Sequence, residues 1–345
     1  MYTKKDLIGV DLGQTHINLV SLSKKGKSIL VDKVDSEILY IPGKEASEDK
    51  SQDIWSSTLR NMIIRSKVKS KNASTSIMSS KSIVKVIHIP NSLSDDAIEE
   101  FLKYEGSNHI PLSMDAVNFD FVKLPEDGKD KDRQSILLVA CKKEEVEEFS
   151  AVLETAGLKA AHISIDQLAL WNLHEHIQGE SAFHMNTAIV KVGFHSSNLF
   201  VFEKGRPAYV KDHNFGLFKL VQGIQDRYQL KFEDAYRMLI YGGLPSDFSS
   251  TLLVQVQDSL AQDVFRSIDF FQAAMPDISI ENIEIYGNIN PIIGIENILE
   301  RNIGIPVSCP DPFTGMELNT DMTHHTQKNR YSFAVSCGLS LQKVY

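Results

Sequence analysis

The sequence predicts an α/β protein with two lobes, each built on the same strand–turn–strand–turn–strand–helix unit. One unit begins in the apolar run at 7–12 and the other in the apolar run at 187–193. Each run leads into a glycine, and these glycines, Gly13 and Gly193, are about 180 residues apart. A unit that recurs in the same internal order indicates a duplication. The length of 345 residues agrees, because one compact core seldom grows that large.

The elements of the two units follow from apolar runs and alternation bounded by turn residues. In the first unit the predicted elements are strands at 7–12, 16–23, 28–39 and 74–79 and a helix at 53–68. In the second unit they are strands at 187–193, 197–203 and 208–213 and a helix at 217–228. The turns Lys24–Lys27 and Lys204-Gly205 occupy matching places and are typical of hairpins.

Between the two units lies a segment with its own alternation of strands and helices. Its predicted elements are strands at 82–89, 118–124, 135–141 and 160–165 and helices at 93–104 and 144–156. Ser92 or Ser94 is expected to cap the first helix, and Gly157 is expected to end the second. The order β-α-β-β-α-β matches a small ferredoxin-like module. We therefore expect an insertion within the first lobe.

The remainder of the chain is mostly helical in pattern. Its predicted elements are helices at 232–241, 250–274, 291–302 and 331–341 and strands at 282–286 and 305–309. The resulting boundaries are 1–81 with 164–186 for the core of the first lobe, 82–163 for the insertion, and 187–345 for the second lobe, whose helical subdomain covers about 217–281.

The composition argues against several classes of function. A formal net charge of −9 is unfavourable for a nucleic-acid partner, and the lysine-rich stretch at 67–71 has no interleaved aromatic residue.

The three cysteines form no Cys-x-x-Cys pair, so neither a disulfide nor a metal site is expected. The N-terminus enters a strand pattern at once, and no apolar run reaches the ~18 residues of a membrane span. We expect a cytoplasmic protein without direct membrane insertion.

The two glycine turns have the chemistry of phosphate-binding loops. Glycine lets backbone N–H groups approach a phosphate, and an aspartate at the strand end holds hydrated Mg²⁺ beside it. Asp11–Thr15 resembles the first phosphate motif of the actin-like ATPase superfamily, Val190–Gly193 the second, and Ile285–Asn288 the adenosine motif. The resemblance implies an actin-like ATPase fold of two duplicated RNase H-like lobes that bind ATP or ADP, with Mg²⁺, between them. The nucleotide-binding residues that it implies are Asp11, Gly13, Gln14, Thr15, Asn18, Lys191, Gly193, Gly287 and Asn288.

Longer motifs at 84–90, 105–122, 242–248, 304–307 and 311–316 narrow the resemblance. They resemble, in the same order, the motifs of one family within this superfamily, the PilM proteins of type IV pilus assembly, and the resemblance covers nearly the whole chain. It implies a cytoplasmic scaffold that binds the N-terminal tail of PilN, an inner-membrane protein, and that contacts the pilus motor ATPases. Such a scaffold lies at the inner membrane through its partners.

The resemblance places the PilN tail in a groove between the core of the first lobe and the insertion. The expected binding mode is an extended peptide with apolar anchors in pockets. The groove residues that we predict are Val84, Val86, His88, Pro90, Tyr104, Ile110 and Pro111.

Three residues depart from the family pattern at the nucleotide site. Lys191 stands where the second phosphate motif has an aspartate, Asn18 lies near the place of a lysine, and Asn288 replaces a glycine. Lys191 reverses a charge at the Mg²⁺ position and so weakens metal binding. Three interpretations remain open: Lys191 pairs with Asp11 and closes an empty site, Lys191 binds the phosphates without turnover, or the protein is an active ATPase. Asp166, which follows a strand, is a further polar candidate there.

Two other functions compete with the scaffold. One is an active ATPase whose nucleotide state controls partner binding. The other is a filament former similar to FtsA, which usually ends in a basic amphipathic helix, whereas this sequence ends at Gln342–Tyr345 without one. No motif supplies the catalytic aspartate that a sugar kinase needs to deprotonate a hydroxyl group, so no catalytic residue is predicted.

Overall fold

The computed structural model describes residues 7–39, 48–78, 81–124, 132–292, 294–318 and 327–342. Its strands are β1 (Ile8–Leu12), β2 (His16–Lys25), β3 (Ser28–Ile38), β4 (Asn72–Ile77), β5 (Ser82–Pro90), β6 (Val117–Lys123), β7 (Arg133–Lys142), β8 (Lys159–Ile165), β9 (Asn186–Val192), β10 (Ser197–Glu203), β11 (Arg206–His213), β12 (Asn282–Gly287), β13 (Val307–Ser308) and β14 (Glu317–Leu318). Its helices are α1 (Glu48–Ser66), α2 (Asp95–Glu105), α3 (Lys143–Thr155), α4 (Asp166–Gln178), α5 (Leu217–Tyr228), α6 (Phe232–Tyr241), α7 (Val254–Ala274), α8 (Ile295–Ile303) and α9 (Ala334–Leu341).

The first lobe is built on a six-stranded sheet in the order β14-β3-β2-β1-β4-β8. Strand β1 pairs antiparallel with β2 and parallel with β4, and β8 runs parallel to β4. Helices α1 and α3 share a core with one face of this sheet, and α4 and α9 share a core with the other. A sheet covered on both faces buries nearly all of its side chains, which explains the continuous apolar runs of β1 and β2.

The second lobe repeats this plan in a five-stranded sheet in the order β11-β10-β9-β12-β13. Strand β9 pairs antiparallel with β10 and parallel with β12, as β1 does with β2 and β4. One face packs with α5, α6, α7 and α8. The other face, including Phe200 and Tyr286, packs into a core shared with α4 and α9. The matching strand pairing agrees with the duplication that the sequence predicts.

The inserted unit is smaller than predicted. Its sheet has three strands, in the order β5-β7-β6, and α2 packs against it; Ser94 accepts a hydrogen bond from the Ala97 backbone N–H at the start of α2. The predicted second helix and last strand, α3 and β8, belong to the first lobe instead. Phe149 and Leu153 of α3 are buried against α1, and β8 completes the six-stranded sheet. The β-α-β-β-α-β order is therefore present along the chain but does not form a closed ferredoxin-like module.

The C-terminal segment also differs from the predicted boundary, which assigned it to the second lobe. Strand β14 pairs with β3, and α9 packs against β1, β2 and α4. Ser340 donates a hydrogen bond to the Val20 carbonyl at 2.8 Å. The chain thus returns to the first lobe after completing the second. Burial of apolar residues on α9, such as Val335 and Leu339, stabilises this return.

Helix α4 has no counterpart among the predicted elements. It links the two lobes, because it follows β8 of the first sheet and precedes β9 of the second. Its buried residues lie around much of its circumference, so the one-sided stripe by which a surface helix is recognised is weak. Among the described residues, no helix combines the length and apolar character that crossing a bilayer requires.

Candidate functional site

The two glycine turns are built alike. The Gly13 N–H donates to the His16 carbonyl at 2.9 Å, and the Gly193 N–H donates to the Ser196 carbonyl at 3.0 Å. A Cβ atom on Gly13 would lie 2.9 Å from the His16 oxygen, and one on Gly193 would lie 2.5 Å from the Ser196 oxygen. Glycine is therefore required at both positions by the close approach of the backbone.

Lys191 forms the central contact beside these turns, and its partner is Asp166 rather than Asp11. The Lys191 ammonium donates to Asp166 Oδ2, and Asp166 is only 1% exposed at the start of α4. Burial by itself lowers the pKa of Lys191, but the carboxylates of Asp166 and Asp11 outweigh burial and raise it. Lys191 therefore stays charged and joins β9 of the second lobe to α4.

Asp11 lies next to this pair in a desolvated position. Burial raises the pKa of the Asp11 carboxyl, and the Asp166 carboxylate adds to this effect. The Lys191 charge and a hydrogen bond from Asn18 oppose it, and the net direction is upward. The site thus contains two carboxyl groups and one ammonium group in close proximity.

Asn18 lies opposite Asp11 in the β1–β2 ladder and is committed to contacts within the protein. Its Nδ2 donates to the Ser332 carbonyl at 3.1 Å, and its Oδ1 accepts from Ser36 Oγ at 2.8 Å. Only 3% of Asn18 is exposed. Its role in this structure is to connect β2 with the segment before α9.

The first turn contacts the second lobe through a small polar group. His16 Nδ1 shares hydrogen bonds with the Thr15 hydroxyl at 3.1 Å and with the Tyr236 hydroxyl of α6 at 3.0 Å. Burial raises the pKa of Tyr236 well above its ordinary range. The Phe194 ring of the second turn packs against the Tyr236 ring, with centroids 5.5 Å apart. Gln14 is half-buried in the same first turn.

The third predicted motif lies against the second turn. Gly287 has φ of +99°, and a Cβ atom there would lie 2.4 Å from the Val192 carbonyl oxygen. The Asn288 N–H donates to the same oxygen at 3.1 Å. The fold therefore gathers all three motifs, as the sequence predicts. Tyr236 was not predicted, and no motif in the sequence indicates it.

The residues at this site do not fit a magnesium ion. Mg²⁺ beside phosphates is held through carboxylate oxygens and retained waters. Here the Lys191 ammonium already neutralises the Asp166 carboxylate and faces Asp11. Across the described ranges, no three His, Cys, Asp or Glu side chains are arranged to hold a metal ion.

A large groove separates the insertion from the first lobe. Its volume is about 1470 Å³, and it is lined by the edge strand β6 on one side and by the edge strand β8 and helix α4 on the other. Phe119 and Phe121 of β6 and Ile163 and Trp171 of the first lobe supply apolar walls. The hairpin turns β2–β3 and β10–β11 lie at its rim. We call this cavity the β6–β8 groove.

The predicted groove residues lie elsewhere. Val84, Val86 and His88 line a second cavity of about 460 Å³ between β5 and β11. The other four residues line neither cavity: Pro90, Tyr104, Ile110 and Pro111. Ile110 is fully buried in the core of the insertion, and Tyr104 is 83% exposed. Strand β6, whose alternation at 117–123 is that of a half-exposed strand, lines the larger groove and was not among the predicted groove residues.

Two duplicated lobes with facing glycine turns, and an inserted unit in the first lobe, define the class of actin-like ATPase folds. The chain belongs to the type IV pilus assembly protein PilM family, whose model matches residues 9–344.

Solved structures agree with this assignment. The chain is similar to the structure of a PilM-PilN type IV pilus biogenesis complex, with 18% identity, a TM-score of 0.82 and 98% of each chain covered. It is also similar to the ethanolamine utilization protein EutJ from Carboxydothermus hydrogenoformans, with 14% identity, a TM-score of 0.56 and coverage of 99% of this chain and 90% of that chain. At these identities the likeness shows a shared fold.

Proposed function

We propose that this protein is a cytoplasmic scaffold of the type IV pilus assembly machine, positioned at the inner membrane through its partners. It binds the N-terminal tail of a PilN-like inner-membrane protein and links that protein to the pilus motor ATPases. Membership of the PilM family supports this proposal. The similarity to a structure whose PilM chain is in complex with PilN supports the choice of partner.

The observation that carries the proposal is the β6–β8 groove. Strand β6 pairs only with β7, and β8 pairs only with β4, so each presents one free edge in its described sheet. An extended peptide gains main-chain hydrogen bonds by adding to such an edge, and alternate side chains enter apolar pockets. The apolar walls of the groove can receive those side chains, so its shape and chemistry suit a peptide tail.

The nucleotide site is part of the same proposal. We take it to be degenerate, because Lys191 is paired with Asp166 and Asn18 is held by Ser332 and Ser36. This arrangement differs from the Lys191–Asp11 pair of the first interpretation, but it supports the same conclusion, a site closed by protein contacts. Tail binding then requires no nucleotide turnover.

The groove assignment can be tested with two matched valine substitutions. Val122 on β6 lines the β6–β8 groove and is 51% exposed, whereas Val86 on β5 lines the smaller cavity and is 38% exposed. Val122→Glu should weaken binding of a synthetic PilN tail peptide about tenfold or more, because a carboxylate would be desolvated on binding. Val86→Glu should leave the affinity within about twofold. Isothermal titration calorimetry of the full chain measures both.

The same pair of variants separates the two possible grooves. If Val86→Glu abolishes binding and Val122→Glu does not, the tail binds in the cavity beside β11. Three of the predicted groove residues line that cavity. Retention with both variants would contradict either position. Circular dichroism confirms that each variant keeps its fold, which is expected because both side chains project from exposed edge strands.

A further inference from the structure

The hairpin turns of the two lobes carry a cluster of lysines at one end of the molecule. Lys24 lies near the end of β2, Lys27 lies in the β2–β3 turn, and Lys204 lies in the β10–β11 turn. All three side chains are exposed, and all three residues line the rim of the β6–β8 groove. Two lobes thus contribute cations to one surface, which we call the basic rim.

The duplication explains why the rim lies away from the glycine turns. Strand β2 runs from His16 to Lys25, and a strand of ten residues spans roughly 30 Å. Its start lies beside the first glycine turn, and its end lies at the rim. Strand β10 runs in the same sense from the second glycine turn to Lys204. The basic rim and the degenerate nucleotide site therefore lie at opposite ends of the paired hairpins.

The three lysine charges of the basic rim are not neutralised by ion pairs within the described part of the protein. Among the described residues, Lys24, Lys27 and Lys204 form no ion pair, whereas Lys123 of the same groove pairs with Asp95. Lys204 has φ of +47° and precedes Gly205 at +86°. Glycine or asparagine suits such a turn better than lysine. Asparagine can therefore replace Lys204 without strain, so that the charge is removed while the turn is kept.

We propose that the basic rim binds the anionic lipid headgroups of a membrane surface. This inference rests on the proposed function in one respect: a tail anchored in a bilayer brings the mouth of the groove to that bilayer. Clustered lysines are attracted by the negative surface potential of anionic lipids, and each contributes about a fivefold gain in binding. Three lysines thus supply roughly a hundredfold preference for anionic over neutral membranes. The tail and the basic rim are two weak attachments to the membrane, and together they bind it more tightly than either one alone.

The experiment is co-sedimentation of the full chain with phosphatidylcholine vesicles, prepared with and without phosphatidylglycerol. The test variant combines Lys24→Gln, Lys27→Gln and Lys204→Asn, since asparagine accepts the left-handed conformation at position 204. The control variant combines Lys67→Asn, Lys69→Gln and Lys71→Gln, which removes the same charge from exposed lysines that line neither cavity and again places asparagine at the position of positive φ, +52° at Lys67. We expect wild type and control to prefer anionic vesicles strongly, and the test variant to lose that preference about a hundredfold.

Calorimetry with the soluble tail peptide, performed on the same proteins, keeps the two proposals distinguishable. Normal peptide affinity in the test variant, combined with loss of vesicle binding, supports the basic rim. If the wild-type protein does not bind the peptide, the proposed function is contradicted. Vesicle binding that depends on the three lysines would in that case still support the basic rim. Equal vesicle binding by test and control variants, or no preference of wild type for anionic vesicles, would overturn it. The proposal would also be overturned if a soluble glutamate-rich peptide bound the basic rim as tightly as anionic vesicles do. The surface would then be a docking site for a protein.

Discussion

Lys191 places a positive charge beside the carboxyl groups of Asp11 and Asp166, at a position where the resemblance to actin-like ATPases implies an aspartate. Its ammonium binds Asp166 and is attracted by Asp11, so one side chain balances negative charge from both carboxyl groups. Removing one partner of a buried pair is costly, because the remaining charge is left without compensation. At the scale of single residues, this site should therefore depend on Lys191 for stability and should be indifferent to Mg²⁺.

A substitution that restores the family pattern tests this dependence. Lys191→Asp would place a third carboxylate beside Asp11 and Asp166. Because neighbouring like charges repel one another, we expect the folded protein to lose about 3–5 kcal/mol of stability in total. We expect Mg²⁺ to recover part of this loss, seen as a Tm that rises with MgCl₂ concentration. Wild type should show no such rise, and calorimetry should detect no Mg²⁺-dependent binding of ATP to it.

Lys191→Met is the matched control for that prediction. It removes the ammonium without adding a ligand for the metal, so it should lose stability and not regain it with MgCl₂. Equal responses of the two variants to MgCl₂ would contradict a metal effect at this position. Steady release of phosphate from ATP by wild type would contradict the degenerate site itself.

At the scale of elements, helix α9 is held unusually close to its neighbours. A Cβ atom on Gly338 would lie 1.9 Å from the Ala169 carbonyl oxygen of α4, and one on Gly9 of β1 would lie 1.9 Å from the Ser336 oxygen of α9. These are backbone atoms, which cannot rotate away. The absence of side chains at both positions is what allows α9 to fill the space between β1 and α4.

Gly338→Ala should accordingly destabilise the protein, although alanine is the better helix former. Inserting a methyl group into a packed contact costs about 1–3 kcal/mol, and more where only the backbone can yield. Gly223→Ala in α5 is the control, since its nearest neighbour is the flexible end of Leu252 at 3.2 Å. That variant should be neutral or gain up to about 1 kcal/mol from helix propensity. Urea unfolding measures both, and equal midpoints would contradict the tight packing.

The lobes of the whole molecule are joined by a buried polar network. Glu284 of β12 is fully buried and accepts hydrogen bonds from His174 Nδ1 at 2.8 Å, Tyr286 at 2.6 Å and Gln178 at 2.9 Å. His174 and Gln178 lie on α4, so the network links α4 to the sheet of the second lobe. Burial by itself raises the pKa of Glu284, but these hydrogen bonds outweigh burial and hold it below its ordinary value.

The lowered pKa makes this network sensitive to acid. Because the folded state favours the ionised form, Glu284 contributes its full stability above the ordinary value of 4.5 and loses it as the pH falls through the lowered folded pKa. Glu284→Gln should therefore cost about 2–4 kcal/mol at neutral pH, and less in acid. Glu37→Gln, which removes an exposed partner of Arg65, should change stability by less than about 1 kcal/mol. Denaturant titrations at several pH values measure the difference, and a constant gap between Glu284→Gln and wild type would contradict the linkage.

Local patterns in the sequence predict the repeated hairpins, because apolar strands that end in glycine are a property of neighbouring residues. Most predicted strands and helices are present in the structure, with small shifts at their ends. Patterns of this kind do not specify which sheet a strand joins. Strand β8 follows the insertion along the chain but pairs with β4, and β14 pairs with β3 from nearly 300 residues away.

The same limit applies to the candidate site, where local patterns identify residues but do not specify the contacts that these residues make. The sequence marks Lys191 and Asn18 as departures from a family pattern, and both lie next to Asp11 in the structure. The choice of Asp166 over Asp11 as the partner of Lys191 depends on where α4 begins, and α4 itself was not predicted. The seven predicted groove residues remain a prediction for the tail, and the β6–β8 groove that we propose instead depends on the packing of β6 opposite β8, which no local pattern specifies. Residues 343–345, part of the C-terminal stretch on which the expectation against a filament former rests, lie outside the described residues.

The return of α9 to the first lobe has a consequence for the order of events during synthesis. The Gly9 N–H donates to the Ser340 hydroxyl at 2.8 Å, across 331 positions of the chain. The first lobe emerges early from the ribosome, but one face of its sheet is covered only in part, by α4, until α9 has been made. Contacts between such distant residues slow folding, and uncovered apolar surface favours aggregation in the meantime. Fragments that contain only the first lobe should therefore need a chaperone, or the missing helix supplied as a peptide, to remain in solution.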